Sequence, residues 1–153
     1  MKYALDTNAV SALMRGDPRV LGRLQRVARA DVAVPQPVFA EIAYGIARLP
    51  RSGRRRALED RLELIRSELA SAEWTDAVSD AFGEIKAALE RKGQRSEDFD
   101  AAIAAHAVAS DAVLVTANAQ HMRRISGLEI EDWAAARIRR RTSRLADRRT
   151  GRW

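Results

Sequence analysis

Three acidic residues lie where the surrounding sequence favours burial. Asp6 directly follows residues 2–5, a short and mostly apolar segment that is typical of a strand. Glu41 lies in the segment VFAEIAYGI, on a helical face that is largely apolar. Asp100 lies in the segment SEDFDAAIAAHAVA, where small apolar side chains follow it at helical spacing. A carboxylate in such surroundings is expected to be paired, to bind a metal or to take part in chemistry.

Each acid also has a structural explanation that the sequence leaves open. Asp6, Thr7 or Asn8 can cap the helix predicted by the following residues, because short polar side chains accept hydrogen bonds from a first helical turn. Glu41 can lie at the rim of its helix or pair with an arginine. Asp100 can also be paired, although its small apolar neighbours favour close packing against another element.

Convergence of the three acids would favour a divalent cation. Three carboxylates brought together repel one another, and a bound cation removes that conflict. Mg²⁺ and Mn²⁺ are hard ions that bind carboxylate oxygens and keep several waters. Such an ion can lower the pKa of a bound water and stabilise the charge that develops on a phosphodiester. This chemistry needs neither cysteine nor histidine, and we expect His106 and His121 to be structural or surface residues.

Apolar segments alternate with helical patterns along the chain, as expected of an α/β fold. We predict strands at residues 2–5, 32–34, 72–74, 112–115 and 128–130, the last of them at a sheet edge. We predict helices at 9–28 with a break near 16–18, and at 38–49, 54–69, 76–92, 96–110 and 119–124. We predict that Ser96 caps the helix at 96–110. This alternation indicates an α/β sandwich with a mainly parallel central sheet. Thr116 and Asn118 follow the fourth strand, so we expect them at the same sheet edge as Asp6.

The length and composition predict a single soluble domain. The chain has 153 residues, of which 46% are hydrophobic and 31% charged, which suits one ordinary core. It has no cysteine, which excludes disulfides, thiolate zinc sites and thiol nucleophiles and is compatible with a reducing cytoplasm. No apolar segment approaches membrane-spanning length, and the N-terminus resembles a strand rather than a signal peptide. We therefore expect a cytoplasmic protein without a membrane partner.

Four segments resemble, in order and spacing, the PIN domain of VapC/FitB-type toxins. They are LDTNAVSALMR, VFAEIAYGIARLP, EDFDAAIAAHAVASDAVLVTANAQHM and GLEIEDW, and the resemblance runs from residue 2 to about residue 133. It implies a PIN-like three-layer sandwich at residues 1–133, followed by a basic tail at 134–153 that departs from the family pattern. It also implies a toxic endoribonuclease that depends on Mg²⁺ or Mn²⁺. Such a toxin is held inactive by a cognate antitoxin, as a homodimer or a toxin–antitoxin hetero-oligomer.

The resemblance also assigns the residues of the site. The family's three catalytic and metal-binding acids fall on Asp6, Glu41 and Asp100. The family's strand-end hydroxyl falls on Thr116, and its fourth polar position, often aspartate and often asparagine, falls on Asn118. We also expect Thr7 and Asn8, which follow Asp6 directly, to support the site. Because asparagine brings no charge, the number of bound metal ions, one or two, stays open.

Positive charge is concentrated in the tail. The segment from Arg137 onward carries eight arginines and one acid, a local charge of +7. Since the whole chain has a net charge of +6, residues 1–136 carry −1. We predict that the tail attracts RNA phosphates, mainly through Arg137, Arg139, Arg140, Arg141 and Arg144. Two alternatives stay open. The tail can be disordered and without a function, or it can form a helix that packs Ile138 and Leu145 on residues 1–133 or on a second subunit.

Three other functions fit part of the sequence. A phosphatase of the haloacid dehalogenase type also begins with a strand and an aspartate, but it needs a second aspartate where this chain has Asn8. A non-catalytic nucleic-acid-binding module would use the basic tail but would not require the three acids. A PIN nuclease of RNA maturation would use the acids without an antitoxin.

Overall fold

The sheet consists of parallel strands only. The computed structural model describes residues 1–135, and the remainder of the chain lies outside that range. Within it the strands are β1 (Tyr3–Leu5), β2 (Val32–Pro35), β3 (Ala70–Ala72), β4 (Val113–Val115) and β5 (Glu129–Glu131). Their spatial order is β3-β2-β1-β4-β5, and every neighbouring pair is parallel. The predicted α/β fold with a central parallel sheet and an edge strand near residue 130 is confirmed.

Helices connect and flank these strands. They are α1 (Thr7–Met14), α2 (Pro18–Leu24), α3 (Gln36–Ala47), α4 (Gly53–Glu68), α5 (Asp76–Arg91), α6 (Asp98–Ala109) and α7 (Ala119–Met122). Ser52 and Thr75 cap α4 and α5 by accepting hydrogen bonds from backbone N–H groups three residues later. Gly93 follows the end of α5 in the left-handed conformation, with φ at 67°, where glycine has no steric penalty.

The pairing of β1 with β4 places the ends of two central strands side by side. Leu5 is in register with Val115, and the Asp6 N–H donates a 3.0 Å hydrogen bond to the Val115 carbonyl. The next residues, Asp6 and Thr116, are therefore neighbours at the carboxyl edge of the sheet. Since β1 lies between β2 and β4, this edge is also where the strand order reverses, the position at which open α/β sheets bind ligands.

Helix α6 is buried along most of its length. All residues from Ala101 to Ala107 are buried, and five of the seven side chains are alanine. Small side chains allow the helix to pack closely on β1, β4 and α5. This packing fixes the position of the first helical turn, which contains Asp98 and Asp100.

The third strand lies two residues earlier than predicted. It pairs with β2 from Ala70 to Ala72, whereas the sequence predicted residues 72–74. Trp74 is outside the strand because its ring packs against Phe82, with centroids 5.8 Å apart, and its Nε1–H donates to the Ser79 hydroxyl. Contacts with α5 therefore determine the position of this tryptophan.

Two predicted helix starts also require correction. Helix α6 begins at Asp98 with Glu97 in the cap position, and the Ser96 hydroxyl, predicted as the cap, donates instead to the Glu97 carbonyl. The predicted helix at 9–28 begins at Thr7, because Asp6 caps it, and its second part ends at Leu24.

Nearly all of the tail lies beyond residue 135, the last residue that the structure describes. The arginines predicted to bind RNA, namely Arg137, Arg139, Arg140, Arg141 and Arg144, all lie beyond residue 135. Their role and the domain boundary at residues 133 and 134 therefore stay predictions. Up to residue 135, none of the helices combines the length and the apolar character that a membrane span requires.

Candidate active site

Asp6 is buried at the carboxyl edge of the sheet, with 4% of its surface exposed. Its Oδ1 accepts a 2.8 Å hydrogen bond from the Ala9 N–H, so Asp6 is the N-cap of α1. Burial is the main reason that the pKa of this carboxyl is raised to about 6. Hydrogen bonds from Thr116 and Ala9 oppose the rise, and the negative charge of Asp100 adds to it. Asp6 is therefore the helix cap that the sequence allowed, and the same carboxyl feels the charge of a second acid.

Thr116 and Asn118 form the end of the neighbouring strand. Thr116 is 1% exposed and follows β4 directly. Its Oγ1 accepts a 2.9 Å hydrogen bond from the Asn118 N–H, which fixes the turn into α7. The side chain of Asn118 is exposed at the start of that helix. Thr116 therefore lies at the same sheet edge as Asp6, as predicted, and Asn118 follows it two residues later.

Glu41 is half-buried on α3 and is tied to the chain beside Asp6. Its Oε1 accepts a 2.9 Å hydrogen bond from the hydroxyl of Thr7, the first residue of α1. The partner of Glu41 in the structure is thus a hydroxyl rather than the arginine considered above. This bond joins two helices that are far apart in the sequence and orients the carboxylate toward α1.

Asp100 lies near His121, which the sequence predicts to be a structural or surface residue. Its Oδ2 is 3.5 Å from Nε2 of His121, which is on α7. The guanidinium of Arg124 approaches the same ring nitrogen at 2.9 Å and also donates to the carbonyls of His121 and Arg95. Asp100 and His121 are on different helices with β4 between them, so no sequence spacing could have indicated their contact.

The described acids suit a hard divalent cation, but they do not form a closed ligand set. Up to residue 135, no three histidine or acidic side chains are close enough together to hold one ion. Asp6 feels the charge of Asp100 and a hydrogen bond from Thr116, and Glu41 is bonded to Thr7, the residue after Asp6. Carboxylate oxygens are the donors that Mg²⁺ and Mn²⁺ prefer, and these ions keep several waters. The donor set therefore fits such an ion in kind, with Asp6 and Asp100 as the interacting pair.

Two further residues named in the sequence analysis are Asn8, expected to support the site, and His106, expected to be structural or on the surface. Asn8 is exposed and lines, together with Thr116, a cavity of about 270 Å³. His106 is 1% exposed on α6, where its Nδ1 lies 2.8 Å from the Ala102 carbonyl and its ring meets Trp74 edge-on at 5.5 Å. This environment gives His106 a structural role, as predicted.

The sequence also matches a known family. Residues 3–128 match the PIN domain. The chain belongs to the PIN domain family. Ribonuclease VapC2 of Rickettsia felis is 31% identical to this PIN domain, over 87% of this chain and 98% of the relative. The tRNA(fMet)-specific endonuclease VapC of Shigella flexneri is 26% identical, over 88% of this chain and 99% of the relative.

Solved structures agree with this assignment. A crystal structure of VapBC2 from Rickettsia felis, bound to a DNA fragment from its promoter, contains a chain similar to this PIN domain. The TM-score is 0.78 at 28% identity, and the match covers 87% of this chain and 99% of that chain. FitAcB from Neisseria gonorrhoeae shares the fold with a TM-score of 0.73 at 20% identity. The predicted resemblance to VapC/FitB-type PIN domains is confirmed.

Proposed function

We propose that this PIN domain is the toxin of a toxin–antitoxin pair and an endoribonuclease that depends on Mg²⁺ or Mn²⁺. The observation that carries the proposal is the buried Asp6 carboxylate, which lies beside Asp100 at the sheet edge and whose pKa is raised to about 6. A buried acid next to a second acid is the arrangement that a bound cation stabilises. The names of the relatives, Ribonuclease VapC2 and tRNA(fMet)-specific endonuclease VapC, support RNA as the substrate.

Asp6 and Asp100 are the residues that would hold the ion, and Glu41, bonded to Thr7, is the third candidate ligand beside them. A bound Mg²⁺ or Mn²⁺ supplies a water of lowered pKa and neutralises charge at the scissile phosphodiester. The Ala9 N–H fixes Oδ1 of Asp6, and the Thr7 hydroxyl fixes Oε1 of Glu41. These bonds keep the carboxylates in place before RNA arrives, which is the preorganisation that electrostatic catalysis requires.

Asn118 and Thr116 complete the proposed site at the end of β4. Thr116 is buried and anchors the turn, whereas the exposed amide of Asn118 can hold a water near the acids. Asn118 adds no charge, so the acids alone supply the negative charge for the cation. This division of roles supports an ion bound mainly through Asp6 and Asp100.

The partner that we propose is an antitoxin that covers the acidic site. Solved VapBC and FitAB assemblies, to which this chain is similar in fold, support a toxin–antitoxin hetero-oligomer. Induction of this chain alone should stop growth of a bacterial host, and co-expression of a small protein encoded beside it should restore growth. Normal growth during induction, with active enzyme in the cell, would favour a PIN nuclease of RNA maturation instead.

A matched pair of aspartates on α6 tests the nuclease activity. Asp100→Asn should lower kcat for RNA cleavage at least about a hundredfold, because it removes one carboxylate of the preorganised site. Asp98 lies on the same helical turn, is exposed and pairs with Lys86, so Asp98→Asn should leave kcat nearly unchanged. Cleavage of a labelled RNA, with and without EDTA, measures both effects. Cleavage that survives EDTA, or equal losses in the two variants, would contradict the proposal.

A further inference from the structure

Two adjoining cavities form a groove that leads away from the acids. The first, of about 270 Å³, lies between α1, the start of α2 and the ends of β4 and β5. The second, of about 330 Å³, continues along α2. Arg19, Asp132 and Trp133 line both cavities, so the two adjoin each other. We call this surface the α2 groove.

The α2 groove adjoins the candidate active site at one end and reaches the last described residue at the other. Asn8 and Thr116 line its first cavity, and Thr116 also contacts Asp6. Ala135, the last described residue, lines its second cavity. A chain that leaves the acids along this groove would therefore arrive at the first residues of the tail, whose charge is +7 from Arg137 onward.

Four arginines line this groove, one at the end of α1, two on α2 and one just after α2. Arg15, Arg19, Arg23 and Arg26 line its cavities. Arg15 and Arg26 are exposed, and within residues 1–135 neither has an acidic partner, so both guanidinium groups can bind a ligand. Arg15 lines the first cavity and Arg26 the second, so each cavity has one arginine without an acidic partner among the described residues.

The acids of the groove are engaged by other groups. Arg19 pairs with Asp17 at 3.3 Å and holds the pKa of that exposed carboxyl below its usual range. Arg23 donates at 2.8 Å to Glu131. Asp132 accepts hydrogen bonds from the N–H groups of two following residues. None of these acids lies against Arg15 or Arg26, so they do not cancel the charge at the groove's ends.

We propose that the α2 groove binds the sugar–phosphate backbone of the RNA strand on one side of the cleavage site. This inference rests on the proposed function, since it takes RNA as the substrate. The groove adjoins the site through Asn8 and Thr116, bears guanidinium groups without an acidic partner among residues 1–135, and reaches Ala135, two residues before the first arginine of the tail. Arginine suits this role because its planar fork binds two phosphate oxygens at once. Residues 1–136 have a net charge of −1. These arginines are therefore a local concentration of positive charge on a nearly neutral part of the chain.

Binding of a labelled single-stranded RNA in EDTA, followed by fluorescence anisotropy, tests the groove without cleavage. The variant Arg15→Ala/Arg26→Ala should raise the Kd about tenfold at 0.15 M salt, through loss of two phosphate contacts. The slope of log K against log salt should become less steep by about 1.4 for a single strand. The control Arg61→Ala/Arg91→Ala removes the same charge from exposed positions on α4 and α5 and should change neither quantity as much.

The outcomes separate this inference from the proposed function. A Kd and salt slope equal to those of the control would overturn the groove as an RNA path. An unchanged RNA Kd with weaker binding of the antitoxin would also overturn it, and would assign the groove to the protein partner. Cleavage of RNA by the wild type in Mg²⁺ is measured separately, and its absence would reject the proposed function while the binding result still stands.

Discussion

Asp6 serves as a helix cap and as a candidate ligand with the same carboxylate. Capping requires an acceptor oxygen, which asparagine would supply equally well. Burial, however, disfavours the negative charge and raises the pKa of the group to about 6. At neutral pH and without a cation, the charged form of Asp6 therefore lowers the stability of the fold. Such a cost is common where function requires a charge in a buried position.

Replacement of Asp6 should stabilise the protein and abolish its activity. In EDTA at pH 7, Asp6→Asn should raise the free energy of unfolding by about 1–3 kcal/mol, because it removes a buried charge and keeps the cap. RNA cleavage should be lost in the same variant. Urea denaturation measures the stability, with Asp98→Asn as the control at an exposed acid. A less stable Asp6→Asn protein would show that the cap and not the charge dominates at this position.

The raised pKa of Asp6 also predicts a pH dependence for the metal-free wild type. The pKa rises from 3.8 to about 6 on folding, so the folded state keeps its proton to a higher pH. The contribution of Asp6 to stability is therefore full below pH 3.8 and is lost as the pH rises to about 6. Denaturation midpoints at several pH values should show this loss in the wild type but not in Asp6→Asn. Equal pH profiles for the two proteins would contradict the raised pKa.

At the scale of residues, the sequence predicts single positions better than it predicts contacts. Asp6 was identifiable because an acid directly after an apolar strand lies at a sheet edge. The bond between Thr7 and Glu41 and the approach of His121 to Asp100 join residues on different helices. Those contacts depend on how the helices pack, and the spacing of residues within one segment does not predict that packing.

Strand register and helix packing together bring the acids to one edge. The register of Leu5 with Val115 sets Asp6 beside Thr116, and the packing of α6 on the same strands sets Asp100 nearby. If Asp6 and Asp100 bind one ion, removal of either carboxylate should abolish metal-dependent cleavage, because the other carboxylate then no longer holds the ion. Asp6→Asn/Asp100→Asn should then be little worse in kcat than either single variant. Losses that multiply in the double variant would show that the two acids act independently.

Helix α6 carries a second buried titratable group, away from the acids. Burial lowers the pKa of His106 below its usual 6.5, while the Ala102 and Glu73 carbonyls oppose that shift. The contribution of His106 to stability is therefore full above pH 6.5 and is lost as the pH falls through and below that value. In an Asp6→Asn background, which removes the opposing titration, His106→Gln should flatten the dependence of stability on pH. A slope that is the same with and without His106 would contradict its burial in the neutral form.

At the scale of elements, the sequence predicts order and type but not every boundary. The alternation of apolar and helical segments was sufficient to predict a mainly parallel sheet and its edge strand, although not that every strand pair is parallel. The third strand was misplaced because its position follows from pairing with β2 and from the packing of Trp74 on Phe82. The start of α6 was misplaced because Ser96 resembles a cap, whereas Glu97 takes the cap position.

The whole molecule separates an acidic site from a basic tail. Residues 1–136 carry −1, and the segment from Arg137 carries +7. If about half of the eight arginines contact phosphates, the slope of log K against log salt should be roughly −3 to −4. Truncation after Ala136 should flatten that slope and raise KM while kcat stays nearly constant, because the chemistry lies in the body. An unchanged salt slope after truncation would assign the tail to packing or to the antitoxin.

The central claim is that Asp6 and Asp100 hold a divalent cation at the sheet edge. Titration of the purified protein with Mn²⁺, followed by the electron paramagnetic resonance signal of the free ion, measures this directly. The wild type and Asp98→Asn should bind Mn²⁺ with the same affinity, whereas Asp6→Asn and Asp100→Asn should each lose that binding. Equal Mn²⁺ binding by all four proteins would contradict the claim.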